Sequence, residues 1–281
     1  MADRPTDRKR LSQLADEGIR LAESGRIDEA VVRFQTALEI KSDEGSVRYN
    51  LGLAYMNKQD PARAIEEIKL ALRFEPRYPD TYFALATLYK LLGPEWKARQ
   101  CYLAYLEFTS RGEKAQVAVE RLNQLSGADS FLDPAQWINA AHAKYDSYVE
   151  RIADTGETLG IRITSEKPDE TGKIAKGLRS YFRHIAPQKA QQWAARHFLA
   201  GSDLVEARMY RAAIVQFIES IELYPHDQLA MASLAEAHAL AQDQSLAARL
   251  AELIDVSQED PELRADLNAL IRKLRAQTRH G

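Results

Sequence analysis

Residues 45–76 read GSVRYNLGLAYMNKQDPARAIEEIKLALRFEP, and in them Gly52 and Ala64 stand twelve apart, with Tyr55 three after the glycine, Ile68 four after the alanine and Pro76 at the close. The pattern extends in both directions. Gly18, Ala30 and Phe34 occupy the same points 34 residues earlier, and Ala86, Tyr89, Ala98 and Tyr102 occupy them 34 residues later. Ala37 and Ala71 add a further small residue to the first two units. A fixed period of this length, small at two points and bulky between them, marks a tandem repeat. Small residues let two antiparallel helices approach closely, while bulky ones fill the space left between units. Start signals fall where a second helix would begin: Asp60-Pro61 offers an N-cap and a first-turn proline, Asp28 precedes Ala30 in the same way, and Gly93-Pro94-Glu95 makes the third turn.

These residues at this period resemble the tetratricopeptide repeat (TPR), a helix-turn-helix unit. The register returns near the C-terminus, where Gly201, Ala213, Phe217 and Pro225 mark one unit and Ala235, Ala247 and Ile254 another. Ala98 and Ala213 are 115 residues apart, three periods plus thirteen, so the arrays cannot be joined by whole repeats. The expected fold is all-α, a TPR α-solenoid forming a right-handed superhelix of helix-turn-helix repeats, in two arrays joined by a helical insert. The expected organisation is a charged N-terminal tail over 1–10, three repeats plus a capping helix over 11–126, the insert over 127–190, and two repeats plus a C-terminal capping helix over 191–281.

Within these bounds, Ala118, Leu122 and Leu125 share one face of a helix that would cover the last apolar surface of the first array. Asp260-Pro261 starts a final helix with Leu263, Leu267, Leu270, Ile271 and Leu274 on one stripe. The insert opens with Asp133-Pro134, after which Trp137, Ile138, Ala141, Tyr145, Tyr148, Val149 and Ile152 recur at helical spacing to about residue 153. Residues 155–177, rich in Gly, Thr and charge, read as a loop with a short strand at 161–164, followed by a shorter helix that ends before Pro187.

The chain carries 38 basic and 41 acidic residues, a net charge of −3 that gives no reason to expect a nucleic-acid partner. No apolar run is long enough for a membrane span, and the charged start lacks a signal sequence, so a cytoplasmic location is expected. The lone Cys101 excludes an intrachain disulfide and reads as a packing residue. Thr171-Gly172-Lys173 fails as a phosphate loop, because Lys167 and Ile174 stand where a glycine and a magnesium-holding hydroxyl are required. The six histidines show no metal spacing, and His197 reads as a hydrogen-bonded structural residue. No cofactor, no metal and no catalytic residue is expected.

The resemblance implies that positions 2, 5, 9 and 12 of each repeat face a concave groove that holds a segment of another protein. In the first array these are Ser12, Ala15, Ile19 and Ala22, then Ser46, Tyr49, Leu53 and Met56, then Asp80, Phe83, Thr87 and Lys90, with Asn50 and Asn57 at the border. Members that bind chaperone tails hold a C-terminal carboxylate with Lys and Asn in the first repeat, Asn in the second, and Lys and Arg in the third. At the matched positions, Ala15, Ile19, Asn50, Asp80 and Ala84, only the asparagine is kept, so such tails are poor candidates. The candidate site is therefore Tyr49, Asn50, Leu53, Met56, Asn57, Phe83, Thr87 and Lys90, suited to an amphipathic helix or a hydrophobic peptide.

The expected function is a non-catalytic protein–protein interaction adaptor. A self-assembling head-to-tail oligomer is the alternative. A third reading gives the insert an enzymatic origin, since AKYDSYVE (143–150) resembles the stretch leading into methyltransferase domains of some repeat proteins, although no Gly-rich cofactor loop follows it. A further reading left open is self-occupancy, in which the insert's own aromatic helix, through Trp137, Tyr145 and Tyr148, docks in the chain's groove.

Overall fold

The computed structural model describes residues 5–125, 134–155 and 168–277, and the chain divides into two compact units, Met1–Ser130 and Phe131–Gly281. Among the described residues all regular structure is helical.

In the first unit, α1 (Pro5–Glu23) and α2 (Ile27–Ile40), α3 (Gly45–Asn57) and α4 (Pro61–Phe74), and α5 (Pro79–Leu92) and α6 (Glu95–Phe108) form three hairpins stacked in chain order, and α7 (Glu113–Leu125) packs on α6. Because α1 begins at Pro5, the segment expected to be a tail over 1–10 is helical from that residue onward.

The repeat register has a direct steric meaning. A Cβ added at Gly18 would lie 2.6 Å from the Phe34 ring, and one at Gly52 would lie 2.6 Å from Cδ1 of Ile68. Ala30, Ala64 and Ala98 are fully buried, as are Phe34, Ile68 and Tyr102. Each bulky side chain stabilises its hairpin by roughly 1.5–3 kcal/mol through burial, and the small residue opposite makes room for it.

The turns inside the hairpins repeat as well. Gly25, Gln59 and Gly93 all adopt positive φ, at +80°, +58° and +70°. In the first two turns the backbone closes identically: Arg26 N donates to Leu21 O at 2.9 Å and Asp60 N to Tyr55 O at 2.9 Å, while Gly25 N and Gln59 N donate to Ala22 O and Met56 O. These are Schellman caps, which satisfy carbonyls left over at a helix end. The third turn lacks the longer bond because Pro94 occupies the donor position and has no N–H. Asp60 also starts the next helix, its side chain accepting from Arg63 N at 3.1 Å with Pro61 following.

Between repeats, the Glu75 carboxylate accepts from Ser46 N at 2.9 Å at the start of α3, passing where a side chain on Gly45 would stand. Arg48 and Glu67 pair at 2.7 Å, and Lys58 pairs with Asp28. The contacts of α7 keep the period: Lys114 Nζ meets Asp80 Oδ2 at 2.8 Å and Lys90 Nζ meets Gln124 Oε1 at 2.7 Å, each pair 34 residues apart. α7 is thus in register as the first helix of a further repeat. Glu120, exposed, stands where the preceding repeats have Gly18, Gly52 and Ala86.

The second unit comprises α8 (Pro134–Thr155), α9 (Pro168–Glu206), α10 (Tyr210–Leu223), α11 (Gln228–Leu240), α12 (Gln244–Ala251) and α13 (Pro261–Gln277). Gly201 again admits the ring of Phe217, at 2.6 Å from where its Cβ would be. Arg208 and Gln242 repeat the positive-φ turn, with Met209 N donating to Leu204 O and Asp243 N to His238 O, both at 2.8 Å. α10 packs against α9, α11 and α8, and every residue from Ala212 to Ile221 is buried. A helix enclosed on all sides cannot be amphipathic, so its polar members need internal partners. Gln216 meets Nδ1 of the buried His197 at 2.7 Å, and Ser220 Oγ donates to Ala194 O at 3.0 Å.

Two expectations for the insert are corrected here. Residues 168–177, expected to belong to a loop over 155–177, form the start of α9, and the helix expected to end before Pro187 continues through it to Glu206. Pro168 at the first position with Asp169 and Glu170 in the first turn is a helix start, which the Gly and Thr content obscures. Pro187 forfeits one backbone bond, and the α9 residues beyond it, packed against α10, keep the chain helical. The strand expected at 161–164 lies outside the described residues.

The insert's first helix is also committed elsewhere than expected. Trp137 and Tyr145 are buried as α8 packs against α9 and α10, with Trp137 Nε1 3.5 Å and Lys144 Nζ 3.4 Å from the Glu222 carboxylate. Tyr145 also meets Tyr224 and His226 edge to face. Trp137 and Tyr145 are therefore used in covering the second array.

Candidate partner-binding groove

The groove of the first unit is built from the inner faces of α1, α3 and α5. On α3 one face is buried, through Val47, Leu51, Ala54 and Tyr55. Tyr49, Asn50, Leu53 and Met56 lie on another face and are half-buried, and Asn57 is exposed. Two side-chain populations on one helix, one sealed and one partly open, follow from the repeat register: four positions pack inside and between hairpins, and the 2, 5, 9, 12 positions look outward. Among the described residues, neither Asn50 nor Asn57 makes a side-chain hydrogen bond, so both amides are available.

At the α1 end the groove deepens into a recess of about 580 Å³. Ser12, Ala15 and Ile19 of α1 and Ser46, Val47 and Asn50 of α3 form much of its wall, with Arg8 and the Lys41–Glu44 ion pair at the rim. Small side chains on facing helices leave room for a partner's larger ones.

The α5 end differs. Phe83 is half-buried, and its ring meets Tyr105 at 5.2 Å and Tyr102 at 5.7 Å, both edge-on. Thr87 Oγ1 donates to Phe83 O at 3.0 Å, and Lys90 is engaged by Gln124 of α7. Of the eight candidate residues, these three are already in contact with α5, α6 or α7. Tyr49, Asn50, Leu53, Met56 and Asn57 remain the open set. Tyr49 packs edge-on against Tyr78, ring centres 5.2 Å apart at 88°, and burial together with the nearby Asp80 raises its phenol well above the usual range.

The second array presents a comparable surface that sequence reading passed over. Leu199 is 62% exposed and Leu229 40%, and Phe198 and Val205 are half-buried beside them. Counting back from Gly201 and Ala235 places Phe198, Val205 and Leu229 at positions 5, 12 and 2. The signal was the same register applied to the first array.

Cys101 is buried, His197 is held by Gln216, and among the described residues no group of three or more His, Cys, Asp or Glu side chains could hold a metal ion. Among the described residues no helix is long and apolar enough to cross a membrane.

A family model described as TPR repeat matches residues 18–59, and one described as Tetratricopeptide repeat matches residues 45–78. Residues 18–78 carry TPR repeats. The matched span holds the Gly18–Phe34 and Gly52–Ile68 contacts described above, with the turn at Gln59 inside it. A curated relative, the cellulose synthase 1 operon protein C of Komagataeibacter xylinus, is 24% identical over 192 residues, covering 67% of the chain and 14% of the relative. The first TPR of Spaghetti (RPAP3), solved bound to an HSP90 peptide, resembles 43% of the chain and is itself covered to 95%, at 18% identity and TM-score 0.41. The TPR2AB domain of yeast Sti1, solved as a pHSP90 complex, resembles 94% of the chain and is covered to 98%, at 15% identity and TM-score 0.36. With TM-scores below 0.5, neither passes a residue role to this chain.

Proposed function

We propose that the chain is a non-catalytic adaptor whose first groove holds an amphipathic helix or an apolar peptide segment of a partner protein. The observation that carries this reading is the half-open stripe of Tyr49, Leu53 and Met56, flanked by the available amides of Asn50 and Asn57, on a helix whose other face is sealed. A stripe of this kind matches alternate turns of an amphipathic helix, and the flexible thioether of Met56 adapts to its contour. The second array, through Phe198, Leu199, Val205 and Leu229, gives the same chain another apolar surface. Two such sites on one chain raise the effective concentration of one bound segment near another.

A photo-crosslinking residue placed at Met56 tests the reading against one placed at the exposed Glu66 of α4. A partner captured from position 56, not from 66, and lost in a folded Leu53→Glu variant supports the groove. Capture that ignores Leu53→Glu removes it. Head-to-tail self-association is the second reading, favoured by the open face of α7, where Val119 is 47% exposed over a shallow recess of about 360 Å³. Sedimentation of the purified chain over a concentration series separates the two, because an adaptor alone keeps one mass.

A further inference from the structure

We propose that the corner of the first groove formed by Tyr49, Tyr78, Phe83 and the carboxylate of Asp80 receives a cationic side chain, an arginine or lysine, of the bound segment. This rests on the groove reading above and gives the occupant a charge.

The corner is assembled from two neighbouring first helices. Tyr49 comes from α3, Phe83 from α5, and Tyr78 from the turn that leads into α5. Tyr49 and Tyr78 meet at right angles, so that the edge of one ring addresses the face of the other, and Phe83 is held edge-on by Tyr105. Aromatic faces carry partial negative charge and attract cations, most strongly where water is partly excluded. Tyr49 and Phe83 are half-buried, and Tyr78 is 37% exposed.

Asp80 lies on α5 one turn before Phe83, and its carboxylate is close enough to Tyr49, Tyr78 and Tyr105 to help raise all three phenols. A carboxylate near the paired Tyr49 and Tyr78 rings, on the same helix face as Phe83 three residues on, is a site for a positive charge. The chain already shows that a cation fits there, since Lys114 of α7 reaches Asp80 at 2.8 Å. That lysine is 51% exposed and Asp80 31%, so the pair is solvent-accessible and exchangeable. A guanidinium would engage the carboxylate with two parallel bonds while stacking on a ring, which a single ammonium cannot do.

The test selects random twelve-residue peptides displayed on phage against the full chain, then measures the selected peptides on folded variants. Peptides selected on the native chain are expected to carry Arg or Lys at one fixed offset from their apolar residues. They are expected to bind Asp80→Asn about tenfold more weakly and Asp80→Glu nearly normally. Lys114→Gln breaks the same α5–α7 ion pair but frees the carboxylate, so it is expected to bind them as well as or better than the native chain. Equal loss in Asp80→Asn and Lys114→Gln would mean that only the helix contact matters and would overturn the proposal. Peptides that depend on Leu53 yet show no basic residue, or ignore Asp80→Asn, overturn it while leaving the groove reading intact. Peptides indifferent to Leu53→Glu, or none selected at all, overturn both.

Discussion

Gly201 faces Phe217 so closely that a Cβ on the glycine would lie 2.6 Å from the ring, the same distance that separates Gly18 from Phe34 in the other unit. Both rings are buried to about one percent exposure and cannot swing away. Gly201→Ala is therefore expected to lower stability by about 1–3 kcal/mol, since one extra methyl in a packed interior forces rings or backbones apart. Adding Phe217→Leu should return part of that loss, giving a favourable coupling in a double-mutant cycle read from urea midpoints. Additive losses would show that the glycine is needed for something other than this ring.

Gln59 and Gln242 hold left-handed backbone at the turns where Gly25 and Gly93 stand in other repeats. Side-chain-bearing residues are strained there by about 1–2 kcal/mol, against a glycine's cost of about 0.5–1 kcal/mol in chain entropy. Gln59→Gly and Gln242→Gly are each expected to raise stability by up to about 1 kcal/mol, and Gly25→Ala to lower it by a similar amount. Thermal midpoints of the four proteins check this. A uniform loss on going to glycine would mean that the turns are not strained.

His238 is fully buried on α11, its Nδ1 3.4 Å from the Asp243 carboxylate. Burial holds the imidazole below its ordinary pKa, against the opposing pull of Asp243. The unfolded chain therefore takes up a proton that the folded chain refuses, so this contribution to stability is whole above about pH 6.5 and is lost as pH falls below it. His142, lowered by its own burial and by the neighbouring His226, adds a loss of the same sign. Asp243, lowered chiefly by its hydrogen bond with His238, adds another further down, below about pH 4. Denaturation at about pH 7.5 and pH 5.5 is expected to show a drop that shrinks in His238→Gln. An unchanged drop would assign the pH dependence to other groups.

Trp137 anchors α8 on α9 and α10 with 4% of its surface exposed. Trp137→Ala is expected to destabilise the second unit by about 3–5 kcal/mol and to leave the first unit's unfolding unchanged. Hydrogen exchange of α10 and α3 amides, followed in the same experiment, separates the two. Protection lost equally from both helices would contradict the separate roles of the units, and protection lost from neither would mean that α8 is only loosely seated.

The helix hairpins were legible in the sequence because their steric requirement is concentrated at single positions. Positions 18, 52 and 201 hold Gly because a Cβ would meet the partner side chain, position 86 holds Ala, and a bulky residue fills the space opposite each, so spacing alone reveals the pairs. The N-caps at Asp60 and Asp260 were equally local, with Asp260 accepting from Glu262 N and Leu263 N as its place before Pro261 suggests. The path of the insert was not legible in this way. Pro187 reads as a stop when only its own hydrogen bond is considered, and α9 continues because of packing contacts distant in sequence. Within the groove, spacing identified which residues share the open face. It could not show that Phe83, Thr87 and Lys90 are already held by α5, α6 and α7, because those partners lie up to 34 residues away. Nor did composition reveal Asp80 as the charge among the tyrosines, since a carboxylate on a helix reads as solvated until its neighbours are known.

Glu120 gives the first array an end group in the polymer sense. α7 keeps the 34-residue register through Asp80 and Lys114, so it stands as the first half of another hairpin, with a carboxylate at the position where the other repeats have a hydrogen or methyl. Burying that charge beneath a stacked helix without a partner would cost several kcal/mol, more than one hairpin's closest contact returns. Solvation at this one surface position thus opposes the close approach of a further helix here. The same carboxylate leaves this end of the array a water-facing surface instead of a seat for another hairpin.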